Sequence, residues 1–249
     1  SISLLRFSAR GESAVSALIL WNHFNLASYN RLRQLSGDPK PLRKMVFLCW
    51  TRPSPKHQKA CLEKCGSFNY DSKHKGATAQ AVSSLQKDKQ LLEEGFFLNH
   101  ARVLIGSGLE TYEKGKDALQ NWRHFQMNWT FVEPTTPVKT GVRFCVCVKE
   151  FFPWLMMPLQ IAYVKESKSI GKVKTSFSFG SGTLQGHLLA GEERFSVELD
   201  DNDQVWYEIL SFSKPAHFLS SIGYPYVQFR QKHFAKESTD AVLKHVSAN

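Results

Sequence analysis

The sequence predicts an α+β domain, with a curved antiparallel β-sheet that carries helices on one face and a long C-terminal helix. Two stretches alternate apolar and polar residues with the two-residue period of a half-buried strand, Val142–Lys149 and Glu193–Leu199. Two others repeat apolar residues every three to four positions, as amphipathic helices do, Leu109–Met127 and Tyr226–Val246. A helix, then a run of strands, then a closing helix is the order of an α+β domain.

The first elements of the domain are predicted to be short. Ser54–Cys65 should be a helix, because Ser54 can cap its first turn and Pro55 suits a position without a helical N–H partner. A second helix is expected over Ala79–Leu92. Phe96–Ile105 then reads as a strand.

The second half of the domain reads as a meander. Further strands are expected at Leu159–Val164, Lys174–Phe179 and Val205–Phe212. The polar run Asp200–Asp203 should turn the chain between two of them. In the alternating stretch Glu193–Leu199, the apolar residues should face inward.

Residues 1–44 differ in composition from the rest of the chain. They carry seven Lys or Arg residues and two Asp or Glu residues, whereas the other 205 residues carry 25 and 20. A basic, Ser- and Arg-rich segment is typical of an organelle targeting sequence, and an upstream extension fits equally well. Pro39 and Pro41 mark the boundary, so one domain is expected over residues 45–249. Its mild net charge predicts no specific nucleic-acid binding.

No stretch of the sequence carries a known catalytic or metal-binding motif. Gly180, Gly182 and Gly186 are spaced one residue too widely for a dinucleotide fingerprint, and a strand follows them instead of a helix. We interpret them as positions of close backbone approach. The five cysteines lack zinc-finger spacing and indicate reduced thiols. The sequence thus predicts no cofactor, no metal and no catalytic residue, which argues against an enzyme.

The polar residues around the glycines predict a structural network. His187 and Glu192 are candidates for a base and acid pair, but their spacing does not fix both on one face of a helix. Glu192 and Glu193 should point to opposite faces of a strand. We expect these groups to join a network that holds the sheet together, with partners among His100, Arg102 and Arg194.

Two features hint at a membrane surface. The last helix is basic, and the loop Phe151–Trp154 is aromatic, so together they could contact anionic lipid. The alternative is a solvated helix face and a loop packed into the core. A spanning helix is not expected, because the longest apolar stretch, Phe151–Val164, has 14 residues and two prolines.

The segment Gly180–Phe195, GSGTLQGHLLAGEERF, resembles a signature of a plant and bacterial family of unknown function. Asn99–Leu104 and Gly223–Pro225 match the same family, and the likeness extends over the whole domain. Plant members of this family include a pore protein of the chloroplast outer envelope. The resemblance therefore implies an ion-conducting protein of the plastid outer envelope.

The family pattern is also similar to helix-grip domains, in which a sheet wraps a long C-terminal helix around an apolar cavity. This likeness implies a cytosolic or stromal protein that binds a lipid or another apolar small molecule. Strand length favours it, since lipid-facing strands need about 9–11 residues and the clear strands here have seven or eight. The cavity should be lined by Phe144, Phe195, Trp206 and Phe229. The candidate ligand-binding residues are His187, Glu192, Arg194, His100, Phe144, Trp206 and Phe229.

Overall fold

The structure, a computed structural model, describes residues 47–150, 153–170 and 173–248 as an α+β fold, which confirms the predicted class. The strands are β1 (Phe47–Cys49), β2 (Phe97–Ser107), β3 (Thr130–Phe131), β4 (Arg143–Lys149), β5 (Trp154–Ile170), β6 (Val173–Thr183), β7 (Leu189–Asp200) and β8 (Gln204–Pro215). The helices are α1 (Pro55–Lys64), α2 (Val82–Gln86), α3 (Lys89–Glu93), α4 (Gly108–Gln120), α5 (Phe218–Ile222) and α6 (Tyr224–Val246). The predicted targeting segment 1–44 and residues 151–152 of the aromatic loop lie outside the described residues.

All the strands belong to one antiparallel sheet. Their order is β2-β8-β7-β6-β5-β4-β3, and β1 pairs with the start of β5. Within the described ranges the two ends of this path, β2 and β3, do not pair, so the sheet is open.

The inner face of the sheet carries the two long helices, α4 and α6. Just after α4, the Trp122 ring lies 4.8 Å from Phe144 on β4 and 5.3 Å from Phe179 on β6. The Phe125 ring lies 5.5 Å from Phe195 on β7 and 4.9 Å from Phe234 on α6. One turn of chain thus reaches three strands, because the sheet curves around it. The largest apolar cluster among the described residues fills this concave side.

The outer face is also covered, by the short helices. Cys61 of α1 packs on Cys145 and Cys147 of β4, and residues 68–96 pack on Phe212 of β8. The prediction that β4 is half-buried was therefore wrong, since five consecutive residues, 144–148, are buried. Apolar and small side chains line both faces of β4, and the covering helix comes from a distant part of the sequence.

One predicted helix is confirmed, and another ends earlier than predicted. α1 is confirmed, with the Ser54 hydroxyl accepting the backbone N–H of His57 at 3.3 Å. The helix expected to reach Met127 ends at Gln120, because Trp122 takes a left-handed backbone conformation, φ 56°. Its indole N–H then donates to the Thr136 carbonyl at 2.8 Å, which fixes this turn.

The stretch Ala79–Leu92 contains two short helices instead of one. Asp88 interrupts it, because its carboxylate accepts the Leu91 N–H at 3.2 Å and caps a new helix, α3.

β5 is much longer than predicted, with 17 residues instead of the six of Leu159–Val164. Pro158 is tolerated within it because of where its partners lie. On one side, the strand pairs with β1 up to Met156 and with β6 from Leu159 onward. Pro158 therefore lies in the gap between two partner strands, where the missing N–H leaves no sheet bond unmade.

Among the described residues, no helix has both the length and the apolar composition needed to cross a membrane.

Candidate functional site

Strand β7 sends its adjacent glutamates to opposite faces of the sheet, as predicted. Glu192 lies on the outer face beside Tyr70, while Glu193 lies on the inner face, where its near neighbours on β7 include the core residue Phe195. The two carboxyl groups have opposite surroundings, so they have different roles.

Glu192 is buried and fully satisfied. Its carboxylate accepts the Tyr70 hydroxyl at 3.0 Å, the Gly76 N–H at 2.8 Å and both the N–H and the hydroxyl of Thr78, at 3.0 and 2.5 Å. Tyr163 adds a hydrogen bond to the Thr78 hydroxyl at 2.9 Å. Four donors leave this carboxylate no lone pair for a ligand, so it fastens the 70–78 segment to the sheet.

The neighbouring glycines make room for this arrangement. A Cβ on Gly182 would lie 2.2 Å from the Tyr70 hydroxyl, and one on Gly180 would lie 2.3 Å from the Tyr163 ring. The two glycines are needed because aromatic rings lie directly against the strand. Close approach was the interpretation made from the sequence, and here it involves side chains.

Arg194, Arg102 and His100 meet at one buried carboxylate, Glu208. Arg194 forms an ion pair with Glu208 and donates to the Thr78 carbonyl at 2.6 Å. Arg102 and His100 lie 3.3 and 3.2 Å from the same carboxylate. Burial opposes ionisation of Glu208, but Arg194 and His100 outweigh it, and the pKa of Glu208 is lowered. The Glu208 carboxylate is therefore paired on both oxygens, although the Nε of Arg194 has no hydrogen-bond partner among the described residues.

Glu193 is the exception. It lies deep on the inner face, and no hydrogen bond or ion pair from a described residue reaches its carboxylate. The side chain is only half-buried, so open space borders it despite its depth. Burial without a partner raises the pKa of this carboxyl from 4.5 to about 7. An unpaired acid in an interior is costly, which makes it a functional candidate.

A serine lies on each side of Glu193. Ser181 on β6 and Ser211 on β8 are its partners in the sheet register, which holds Cβ atoms about 4.5–5.5 Å apart. Both serines are buried, yet no described residue bonds to either hydroxyl, and neither oxygen is sealed from open space. We call Ser181, Glu193 and Ser211 the polar row.

Helix α6 lies over the polar row and is tied to the sheet at two points. Gln231 donates to the Ser213 hydroxyl at 3.1 Å, and seven residues later Ser238 shares a hydrogen bond with Tyr207 at 2.7 Å. Ser213 and Tyr207 lie on either side of Ser211 along β8. The helix therefore bridges the row and does not bond to it.

Apolar side chains complete the surroundings. Phe234 and Ala235 of α6 and Met157 of β5 pack against the inner core but stay half-buried. We call the space between the two α6 residues, Phe234 and Ala235, and the polar row the interior site. A few polar groups within apolar walls are the usual make-up of a small-molecule site.

The residues predicted to line a cavity do not come together. Phe144 is buried in the inner core, whereas the Trp206 indole donates to Asp200 at 3.0 Å and lies beside Arg102 on the outer face. Phe229 is 63% exposed and stacks on His233 on the solvent side of α6. Trp206 and Phe229 therefore lie away from the inner core, because Trp206 shares the outer face of β8 with Glu208 and Phe229 is on the exposed side of α6.

His187 is held by its own turn. Its Nδ1 accepts the Leu189 N–H at 2.9 Å, and burial lowers its pKa to about 4. No described hydrogen bond joins it to Glu192, so the acid and base pair is not assembled.

A surface groove of about 350 Å³ lies elsewhere, between α1, the loop after β3 and the edge of β4. Its charged residues are of both signs, Lys59, Glu63, Glu133 and Arg143. It contains no deep unpaired group, so we favour the interior site. Among the described residues, no cluster of His, Cys, Asp and Glu is placed to hold a metal.

Sequence reasoning assigned Glu193 to the structural network and overlooked Ser181 and Ser211. A signal was present in the alternation itself. The inner face of β6 reads Phe177, Phe179, Ser181, and that of β8 reads Tyr207, Ile209, Ser211. On both strands the inward-facing residues change from apolar to polar. Only the strand register shows that the two serines lie side by side with Glu193.

A family model described as a domain of unknown function, DUF1990, matches residues 75–241. The chain is 61% identical over 205 residues to a UPF0548 protein of Arabidopsis thaliana, covering 82% of this chain and all of that protein. It is 32% identical over 163 residues to a UPF0548 protein of Dictyostelium discoideum, covering 62% and 74% of the two chains. Among solved structures, Ara h 8.0201 is similar with a TM-score of 0.42 and 10% identity, covering 62% of this chain and 100% of that one.

Proposed function

The chain belongs to the DUF1990 family, whose function is unknown, and we propose that it binds a small molecule in the interior site between α6 and the sheet. The observation that carries this proposal is Glu193, an acid that lies deep in the domain, borders open space and has no partner among the described residues. A carboxyl so placed destabilises the fold. A ligand that pairs with this carboxyl would offset that cost.

The walls of the interior site support a ligand with an apolar body. Phe234 and Ala235 offer apolar surface that the core leaves partly uncovered. Covering such surface contributes about 25 cal/mol per Å² to binding. An enzymatic role has no comparable support, because the carboxylates of the outer face are fully paired.

Binding is tested with N-phenyl-1-naphthylamine, a neutral dye that fluoresces in apolar sites. We expect saturable binding to the purified protein. Ala235→Trp places an indole in the interior site and should abolish the signal, whereas Lys236→Trp, on the exposed face of α6, should retain it. Circular dichroism would confirm that both variants are folded. No saturable signal, or equal loss in both variants, would refute the proposal.

An ion-conducting role in the plastid envelope, implied by the sequence resemblance, stays a prediction. So does contact of α6 with an anionic membrane surface. Single-channel recording with pure protein in a planar bilayer tests the first, and flotation with anionic vesicles tests the second. Absence of conductance would refute the ion-conducting role, and absence of flotation would refute the membrane contact.

A further inference from the structure

The polar row presents oxygen atoms to the interior site and no cationic group. Two serine hydroxyls and one carboxyl face the open space, and burial rather than any neighbouring charge governs the carboxyl of Glu193. Hydroxyl and carboxylate oxygens accept hydrogen bonds, and only the hydroxyls also donate when the acid is ionised. The polar row therefore suits a ligand group that carries several hydrogen-bond donors.

The described groups around the interior site present no positive charge to it. The buried His124, whose ring lies 4.6 Å from Phe195, has an Nε2 that no described residue pairs with but is neutral, because burial lowers its pKa to about 3. On α6, three charged side chains have partners away from the row and Lys232 is exposed to solvent, while on β8 the Tyr207 hydroxyl bonds to Ser238. The facing residue of β2, Asn99, is neutral and bonds to Gln231 at 3.4 Å. The α6 pairs are Arg230 with Glu150, His233 with Glu237, and Lys236 with Asp240.

From this juxtaposition we infer that the ligand of the interior site is a primary amine on an apolar body, bound as its ammonium ion. An ammonium carries three N–H donors, and the row offers Glu193, Ser181 and Ser211 as three acceptors on adjacent strands. The apolar body lies against Phe234 and Ala235. This inference rests on the proposed function and assigns its ligand class.

The charge balance fits this assignment. A bound ammonium supplies the positive charge that the carboxylate of Glu193 lacks, so the acid ionises on binding. The pKa of Glu193 in the ligand-free protein is about 7, so about half of the molecules carry a proton on this carboxyl at pH 7. Amine binding at that pH should release about half a proton.

The test compares decylamine, decanol and decanoate as competitors of the dye at pH 7.5, below their micellar concentrations. The three share one apolar body and differ in the head group. We expect decylamine to bind about tenfold to a hundredfold tighter than decanol, which is the worth of a hydrogen bond to a charged group. Decanoate should bind weakest, because its charge repels the ionised row.

Glu193→Gln keeps the shape of the side chain and removes its charge. Decylamine should then bind within about threefold of decanol, while decanol affinity stays unchanged. Glu198→Gln, on the same strand but the opposite face, should leave all three affinities as they are. Calorimetry in phosphate and Tris buffers should show the proton release in the native protein and none in Glu193→Gln.

Equal binding of the three compounds to the native protein would overturn the amine assignment and leave the proposed function standing. An unchanged amine preference in Glu193→Gln would overturn it as well. Failure of the dye itself to bind would overturn both.

Discussion

The carboxyl of Glu193 should make the protein less stable at neutral pH than it would be without it. Its pKa is about 7 in the folded protein and 4.5 in an unfolded chain. Between these values, the unfolded state loses its proton while the folded state keeps it, so stability falls as pH rises. The penalty is absent below pH 4.5, grows between 4.5 and 7, and is complete above 7. Its full size is about 3 kcal/mol.

Glu193→Gln removes this penalty, because an amide resembles the protonated acid and does not ionise. We expect the variant and the native protein to have similar free energies of unfolding at pH 5. At pH 8 the variant should be more stable by up to about 3 kcal/mol. Urea denaturation followed by tryptophan fluorescence, on protein freed of ligand, measures both values.

Glu198→Gln is the matched control. It lies five residues further along β7 and pairs with Arg102 at 2.9 Å on the outer face, so its loss should cost about 1 kcal/mol or less at both pH values. If Glu193→Gln is no more stable than the native protein at pH 8, the carboxylate is compensated in the fold. Such a result would show that Glu193 is not an unpaired acid.

Three further predictions concern stability. Glu192→Ala leaves four donors without an acceptor and should lower the free energy of unfolding by about 3 kcal/mol; an unchanged urea midpoint would contradict this. Gly191→Ala places a Cβ 2.0 Å from a backbone oxygen. Gly76→Ala meets only the strain of φ +79° in open space and should lower the free energy of unfolding by about 1–2 kcal/mol, so Gly191→Ala should lower it by much more. Equal thermal midpoints of the two variants would be inconsistent with that difference. Burial lowers the pKa of His124 to about 3, so the unfolded state alone takes up a proton as pH falls below about 6.5 and stability falls with it. His124→Phe should reduce the drop in melting temperature between pH 7 and pH 4.5, and an equal drop in both proteins would count against it.

Local patterns in the sequence identify elements well where one face is apolar. The alternation of Glu193–Leu199 lies within β7, and the three-to-four spacing of Tyr226–Val246 falls in α6. The Asp200–Asp203 turn joins β7 to β8. These features depend on neighbours along the chain, so the chain alone reports them.

Local patterns also predict the ends of some helices and strands wrongly, and each error is caused by a contact with residues distant in sequence. Trp122 keeps the apolar spacing of α4 but leaves the helix to bond Thr136. Pro158 predicts the end of a strand, yet β5 continues through it. The reason is that β1 pairs with the residues before Pro158 and β6 pairs with the residues after it. Contacts made by residues distant in sequence decide such positions.

The sequence by itself determined the fold class, the family and the absence of known catalytic motifs, and it placed Glu192 and Glu193 on opposite faces. Only the tertiary structure decided which of the two is satisfied. Four donors from the 70–78 segment converge on Glu192, whereas register brings only Ser181 and Ser211 beside Glu193. Periodicity reports which residues share a face, but which strand lies alongside, and which segment covers it, depends on long-range pairing and packing.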